Sequence, residues 1–430
     1  MILQENATIH IASKPCYVDS FIGDGGQGEV YLVRYEGGQY ALKMYKQEPS
    51  SSFLRNLRNN IENGAPDDNF LWPKTYVEAE GHKGYLMDLR PKNYSSFVAY
   101  LNGRTVFKDV RTMVLWCIRL CQAFKKLHEK GYSYQDLNDG SFFLDKDTGA
   151  LLICDNDNVT ADKTNLGILG KMRYMAPEIV RGETLPDTHS DRFSLAVILF
   201  LALCKGYPFE GERLKEYNFV DDEAENELFG TRPIYVYNAK DPSNRPIRGY
   251  HTAVLKRYPT LPTYIKDAFH KTFVDGLSDR ENGRVTEIEW IRLLARYADE
   301  LVTCHCGHQF IMGLEEPKRN DRCPDCGSRI PKIGILHIGK KMIVLEPGKE
   351  LYRTHVDKYS SEYTEVVGEV VVNKKNPSLW GIRLHLDHDV LIKDATGKEV
   401  TISGTGVIPI VNNLKIKFSE DAIAEILVQN

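Results

Sequence analysis

Six short runs in this chain carry residue types that handle phosphate and divalent metal. Gly23-Asp24-Gly25-Gly26-Gln27-Gly28-Glu29-Val30 spaces Gly23, Gly25 and Gly28 so that a hairpin backbone can lie close over phosphate groups, where a Cβ would clash. Ala41-Leu42-Lys43 follows in a strand-like run and offers one cation. Tyr134-Gln135-Asp136-Leu137 and Asp155-Asn156-Asp157 offer carboxylates that can accept a hydroxyl proton or ligate a cation. Met175-Ala176-Pro177-Glu178 and Ser190-Asp191 complete the series. Taken singly, each has a plain alternative: a glycine-rich turn, an exposed strand lysine, aspartates capping turns. The order and spacing of all six carry the argument.

A second cluster lies near the far end. Cys304-His305-Cys306-Gly307 and Cys323-Pro324-Asp325-Cys326-Gly327 form two knuckle-like turns, the first one residue shorter than a regular C-x-x-C-G. Four thiolates, Cys304, Cys306, Cys323 and Cys326, can close a tetrahedral structural zinc site, and His305 or His308 could replace one of them. Disulfides and a redox C-x-x-C are the competing readings.

The elements that must position these residues change along the chain. Residues 14–100 alternate strand-like runs (Cys16-Tyr17-Val18, 29–33, 40–44 and 84–87) with turns. One helical pattern has Phe53, Leu54, Leu57 and Ile61 on a face and ends at Asn63-Gly64-Ala65-Pro66. From residue 110 helices dominate, beginning with Val110 to His128. After the cysteines, β-type patterning returns over 333–428, divided by turns at Pro347-Gly348, Thr396-Gly397 and Gly404-Thr405-Gly406, which predicts a small β-sandwich or barrel.

In this order the fragments resemble a protein kinase, and the resemblance covers roughly 15–330. It implies an α+β, two-lobed protein-kinase-like fold over 14–300 (N-lobe 14–90, C-lobe 91–300). A zinc ribbon over 301–332 and a C-terminal β-sandwich over 333–430 follow. It also implies ATP with magnesium or manganese as cofactors. On this resemblance Gly23, Gly25, Gly28 and Val30 cover the nucleotide. Lys43 neutralises its α- and β-phosphates, paired with Glu62 nineteen positions on. Met87 is the gatekeeper, and backbone groups of Asp88 to Arg90 meet the adenine edge. Asp136 orients the substrate hydroxyl. Asp155 holds magnesium with Ser141, which stands where kinases carry Asn; Asp157 is a further candidate ligand. Glu178 pairs with Arg284, and Asp191 braces the catalytic loop.

Several positions depart from the pattern. Tyr134 and Gln135 replace the usual His and Arg, so a phosphorylated activation loop would lack its arginine partner. Asn156-Asp157 replace Phe and Gly. Kinases place a Lys two residues after the catalytic Asp and a Thr ahead of the Y-M-A-P-E run. Here those positions are Asn138 and Lys171, as if exchanged, which makes Lys171 a candidate cation at the γ-phosphate.

The stretch Ile234-Tyr235-Val236-Tyr237 to Asp241-Pro242-Ser243-Asn244-Arg245-Pro246, with Phe70-Leu71-Trp72-Pro73, narrows the resemblance to the bacterial Ser/Thr kinase-like family found beside tellurium-resistance-type von Willebrand A proteins and metal-dependent phosphatases. That family tends to carry a zinc ribbon. It implies a protein substrate and those two partner types. The region 340–426 resembles, in part, a forkhead-associated sandwich. Arg353, Thr354 and His355, or Asn373-Lys374-Lys375-Asn376, are candidates for its phosphothreonine loops; a packing domain with solvated basic loops is the plainer reading.

Composition narrows the rest. The net charge of −4 gives no reason to expect nucleic acid or an anionic membrane as partner. Met1 to Lys14 lacks an apolar signal core, and the run Phe193 to Cys204 is too short to span a bilayer, so a cytoplasmic location is expected. Oligomeric state is not legible. Two rivals to catalysis stay open: a nucleotide-binding pseudokinase scaffold, and an ATP-dependent transferase of another class.

Overall fold

The computed structural model describes residues 1–164, 166–167, 170–314, 320–330, 333–357, 359–360 and 362–429. The expected junction at 332 and the terminal Asn430 lie outside the described residues. The chain divides into two compact units, Met1–Lys108 with Leu120–Pro259 and Lys266–Glu287, and Asp109–Arg119 with Thr260–Ile265 and Ile288–Asn430. This division cuts across the expected boundaries, because residues 288–300 group with the second unit rather than with the kinase-like region.

In the first unit, six strands form an antiparallel sheet in the order β1-β2-β3-β4-β6-β5. They are β1 (Thr8–Ile11), β2 (Lys14–Asp24), β3 (Gly28–Tyr35), β4 (Gly38–Tyr45), β5 (Thr75–Ala79) and β6 (His82–Asp88). The sheet thus begins at Thr8, ahead of the expected start at 14. Helix α1 (Ser51–Asn63) is capped by the Ser50 side chain, which accepts from the Phe53 amide, and ends at Gly64 with φ 71°. Its buried residues are Phe53, Leu54, Leu57 and Asn60.

The helical part includes α2 (Phe97–Leu101), α3 (Val110–Glu129), α4 (Pro177–Val180) and α5 (Thr188–Cys204). α5 opens with a reciprocal cap between Asp187 and Ser190 and is buried on all sides from Phe193 to Cys204, as its unbroken apolar run demands. Short strands carry the loops of interest: β7 (Tyr94–Ser96), β8 (Tyr132–Ser133), β9 (Phe142–Asp145), β10 (Leu151–Ile153) and β11 (Thr160–Ala161). β10 pairs with β9, and β11 with β8, so the loops around Asp136 and Asp155 leave neighbouring ladders. Among the described residues, no helix is long and apolar enough to cross a membrane.

The second unit holds a two-stranded hairpin, β12 (Leu301–Thr303) and β13 (Gln309–Ile311). Beyond it lie β14 (Ile333–Ile338), β15 (Lys341–Leu345), β16 (Glu350–Tyr352), β17 (Val366–Val372), β18 (Trp380–Leu384), β19 (Val390–Lys393), β20 (Glu399–Ile402), β21 (Val407–Pro409), β22 (Leu414–Ser419) and β23 (Ala422–Gln429). They form a six-stranded sheet, β15-β14-β23-β22-β19-β20, and a four-stranded sheet, β16-β17-β18-β21. Leu336, Leu345 and Ile416 of the first share one apolar core with Val367, Ile382 and Ile408 of the second.

Two of the candidate phosphothreonine-loop residues are not available as surface groups. Thr354 and His355 are buried; the His355 imidazole lies 3.2 Å from the Asp299 carboxylate and accepts from the Tyr352 amide. Arg353 pairs instead with Glu365. Asn373 uses its side-chain oxygen to cap the amides of Lys375 and Asn376 in an exposed turn.

Candidate functional site

Lys43 sits in the middle of β4, opposite Val30 on β3 and Tyr85 on β6. Strand alternation turns its side chain inward, and it is only 4% exposed. A buried ammonium requires partners. Its Nζ lies 2.9 and 3.0 Å from the two carboxylate oxygens of Asp157 and 3.3 Å from Asp155 Oδ1. Burial pulls the Lys43 pKa down, but the two carboxylates outweigh it and the net shift is upward. Gly84 lets β6 lie close against β4, since a Cβ there would meet the Lys43 carbonyl oxygen at 2.1 Å.

Two expectations fail at this point. Glu62 is exposed at the end of α1 and is not the lysine's partner. Asp157 is not a free metal ligand either: it is fully buried and also accepts from the Tyr45 hydroxyl at 2.8 Å and the Tyr85 hydroxyl at 3.0 Å. α1 touches the same segment through amides, with Asn56 and Asn60 both donating to the Val159 carbonyl at 2.8 Å. A helix held by neutral asparagines leaves the charge of Lys43 to be met from elsewhere.

The glycines divide by role. A Cβ at Gly28 would strike the Met44 carbonyl oxygen at 2.5 Å, so that glycine serves the β3–β4 approach. A Cβ at Gly23 would meet open space and one at Gly25 only the Gly28 oxygen at 3.6 Å, so no neighbour in the fold requires glycine at either position. Gln27, at the turn, donates to Asn158 Oδ1 at 3.3 Å and accepts from Lys43 at 3.4 Å. Val30, Ala41, Met87, Leu89 and Leu152 belong to one apolar cluster, suited to a flat heterocycle. Asp88 carries an exposed ion pair with Lys74, and the Arg90 guanidinium lies 4.5 Å over the Phe143 ring.

Asp136 is oriented by Asn138, whose Nδ2 donates to its Oδ1 at 3.0 Å. Burial raises its pKa, and the nearby Asp155 charge adds to the rise while Lys171 and Lys43 oppose it. Asp155, with φ 58° in the left-handed region, keeps its side chain half exposed. Ser141 is buried and its hydroxyl lacks a well-aligned hydrogen bond; the neighbouring Tyr134 phenol gives its proton to the Cys154 carbonyl instead. The half-exposed Asp155 carboxylate is the kind of oxygen donor that a small hard cation takes.

Tyr134 therefore ties the catalytic loop to the residue before Asp155. Asn156 is locked too, donating to the Leu71 and Ile153 carbonyls at 2.9 Å. Asp191 accepts from the Tyr134 amide at 2.6 Å and pairs with His128 at 3.1 Å. Burial lowers the His128 pKa, but Asp191 and Glu287 overcome it and lift it to about 9. Glu178 and Arg284 form a buried two-pronged pair at 2.8 Å for each prong. Lys171 lies 3.0 Å from Asp139, with its side chain 58% exposed, on the activation segment beside Asp136.

Lys43 lies 3.3 Å from Asp155, and the charges of both act on Asp136, so one cation and two carboxylates gather near the glycine turn that holds Gln27. The protein kinase domain family matches residues 17–247, more than half of the chain. The chain belongs to this family. Its curated relatives include ribosomal protein S6 kinase alpha-4 of Homo sapiens, 29% identical over an alignment of 212 residues, with 45% of this chain and 27% of that protein covered. They also include serine/threonine-protein kinase sck2 of Schizosaccharomyces pombe, 24% identical over an alignment of 212 residues, with 45% of this chain and 32% of that protein covered. The chain thus spans about a third or less of the length of these relatives.

The Gln135 side-chain amide donates to the Thr164 carbonyl. Thr164→Ala keeps that carbonyl, so turnover should stay within about twofold of the wild type. A loss of turnover rescued by an acidic residue at 164 would show instead that loop phosphorylation matters.

The four cysteines of the second unit do converge. Sγ atoms of Cys304 and Cys326 lie 3.5 Å apart, those of Cys306 and Cys323 3.7 Å apart, and all four within 4.8 Å. A tetrahedron of thiolates about 2.3 Å from a central zinc has edges of roughly 3.8 Å, so the set fits that ion. His305 and His308 are outside the set; His308 stacks on Phe310. Cys304 and Cys323 share an apolar cluster with Val302, Phe310, Ile333 and Val344. The cysteine turns therefore sit on an apolar cluster as well as on their own thiols.

Proposed function

We propose that this chain is an ATP-dependent protein kinase that transfers the γ-phosphoryl group to Ser or Thr of a partner protein in a bacterial stress-response or signalling module. The observation that carries the reading is the convergence of Lys43, Asp155 and Asp136 in one cleft. Backbone at Gly23 and Gly25 and the Val30 side chain cover the nucleotide; Met87 and the backbone from Asp88 to Arg90 receive the adenine. Lys43 neutralises the α- and β-phosphates. Asp155 and the Ser141 hydroxyl hold magnesium or manganese, which supplies charge neutralisation at the phosphates when bound. Asp136, aimed by Asn138, accepts the hydrogen of the substrate hydroxyl as its oxygen attacks. Cys304, Cys306, Cys323 and Cys326 hold a structural zinc.

Lys171 supplies a cation at the γ-phosphate from the activation segment, in place of the lysine that Asn138 displaces. Its proximity to Asp136 and its position on Asp139 support this role. Lys171→Ala should lower turnover about ten- to a thousandfold while nucleotide affinity changes much less. Unchanged turnover in an active preparation would leave Lys171 a surface charge.

The partner types follow the family resemblance: a von Willebrand A-type protein as substrate and a cognate phosphatase, in the cytoplasm. The C-terminal sandwich, forkhead-associated-like in outline, serves as an interaction domain. A pseudokinase scaffold is the rival, favoured by the buried Ser141 standing where kinases carry a metal-holding asparagine. Incubation with γ-labelled ATP and magnesium or manganese, alone and with such candidate partners, separates the two. Label on Ser or Thr, lost in Asp136→Asn, supports transfer; nucleotide binding without label under every condition supports the scaffold.

A further inference from the structure

Protein kinases set their phosphate-binding lysine with a glutamate carried on the helix that α1 resembles. Here that helix offers only Glu62, which is exposed, while the lysine is engaged from a different element. We propose that Asp157 is the positioning residue of Lys43, so that the lysine is set by the same short segment that carries Asp155 and not by α1. The inference rests on the proposed nucleotide role of Lys43.

The geometry is that of a built site. An ionised carboxylate offers about four lone-pair positions. In Asp157 these are taken by Lys43 on both oxygens, by Tyr45 on Oδ2 and by Tyr85 on Oδ1. Among the described residues these donors fill the lone-pair positions, and every one of them comes from β4 or β6. The three donors fix the carboxylate, and the carboxylate fixes the ammonium. Two residues on, the Val159 carbonyl receives Asn56 and Asn60 of α1. The helix therefore supports the segment rather than the lysine itself. A rotation of α1 that kept those amide contacts would carry the segment along, whereas withdrawal of the Asp155–Asp157 segment would remove metal ligand and lysine anchor together.

A double-mutant cycle tests this by titrating a fluorescent ATP analogue with magnesium into the full chain, with turnover read in parallel. Asp157→Asn should weaken nucleotide affinity about ten- to a hundredfold, the loss expected for a charge-assisted hydrogen bond. Asp157→Glu should restore part of that loss, and Glu62→Gln should bind as the wild type does. In a Lys43→Met background, Asp157→Asn should cost nothing further. It should instead recover part of the thermal stability that Lys43→Met loses, because it removes a buried carboxylate left without its cation. The same fold-loss from Asp157→Asn in both backgrounds, or a loss in Glu62→Gln equal to that in Asp157→Asn, would overturn the assignment. These readouts use nucleotide binding, so a wild type that binds but never transfers phosphate would fail the proposed function and leave the Lys43–Asp157 test standing.

Discussion

Asp155→Ala should lower phosphoryl transfer about a thousandfold or more while the melting temperature stays near that of the wild type. The side chain is half exposed and its carboxylate makes one long contact with Lys43, so the fold loses little. The chemistry loses a ligand for the ion that shields the phosphates, and electrostatic groups of this kind carry about 10²- to 10⁵-fold of the rate in related reactions. Lys43→Met should abolish transfer to a similar degree but with a stability cost of about 3 kcal/mol, because it strands the buried Asp157 carboxylate. The two variants thus separate by melting temperature. Wild-type turnover in both would remove the catalytic assignment, since no other described residue occupies either position.

Combined Cys323→Ser and Cys326→Ser should remove one zinc per chain, measured by elemental analysis of freshly purified protein. Structural zinc sites bind with apparent free energies of about 10–16 kcal/mol near neutral pH, much of which appears as folding energy. The loss should be smaller here than in an isolated ribbon. Phe310, Met312 and Leu314 already pack with Ile333, Ile335 and Val344, so β12 and β13 retain an apolar seat without the ion. Hydrogen exchange should speed most in the two cysteine turns and in β12 and β13, and least in β22 and β23. Protein that carries no zinc as purified, or a Cys323–Cys326 disulfide under reducing conditions, would sink the site.

Much of the candidate site was legible in the sequence because phosphate- and metal-handling chemistry constrains residue types locally. A glycine turn, a strand lysine and two aspartates at fixed spacings have few other reasons to occur in that order. Glu178 and Arg284, 106 residues apart, were also legible, because a buried pair needs both members and each sits in its own recognisable run. The cysteine set was legible for the same reason: metal geometry dictates spacing.

Glu62 and Asp157 show where this legibility ended. Spacing selected Glu62, since it is the acidic residue at the right distance from Lys43. Whether a side chain on a helix faces a strand depends on helical phase and on what packs beneath it, and here that face carries Asn56 and Asn60. Asp157 stood in plain view but read as a spare metal ligand. Only the folded chain shows Tyr45 and Tyr85, from two different strands, closing on the same carboxylate. A sentinel existed in retrospect: tyrosines at inward positions of β4 and β6 need a buried acceptor for their hydroxyls. The same limit applied to His355, a candidate phosphate-loop residue that pairs with Asp299 inside the second unit.

The sequence by itself determined the family, the candidates for the reacting groups and the four cysteines that converge, because those depend on residue chemistry and short-range order. The tertiary structure alone decided which carboxylate meets Lys43, that Gly28 serves strand packing, and that the ribbon shares a core with the strands after it. Those outcomes are set by long-range packing. A buried charge must find its partner among whatever groups the fold brings within about 3 Å, and sequence distance does not measure that.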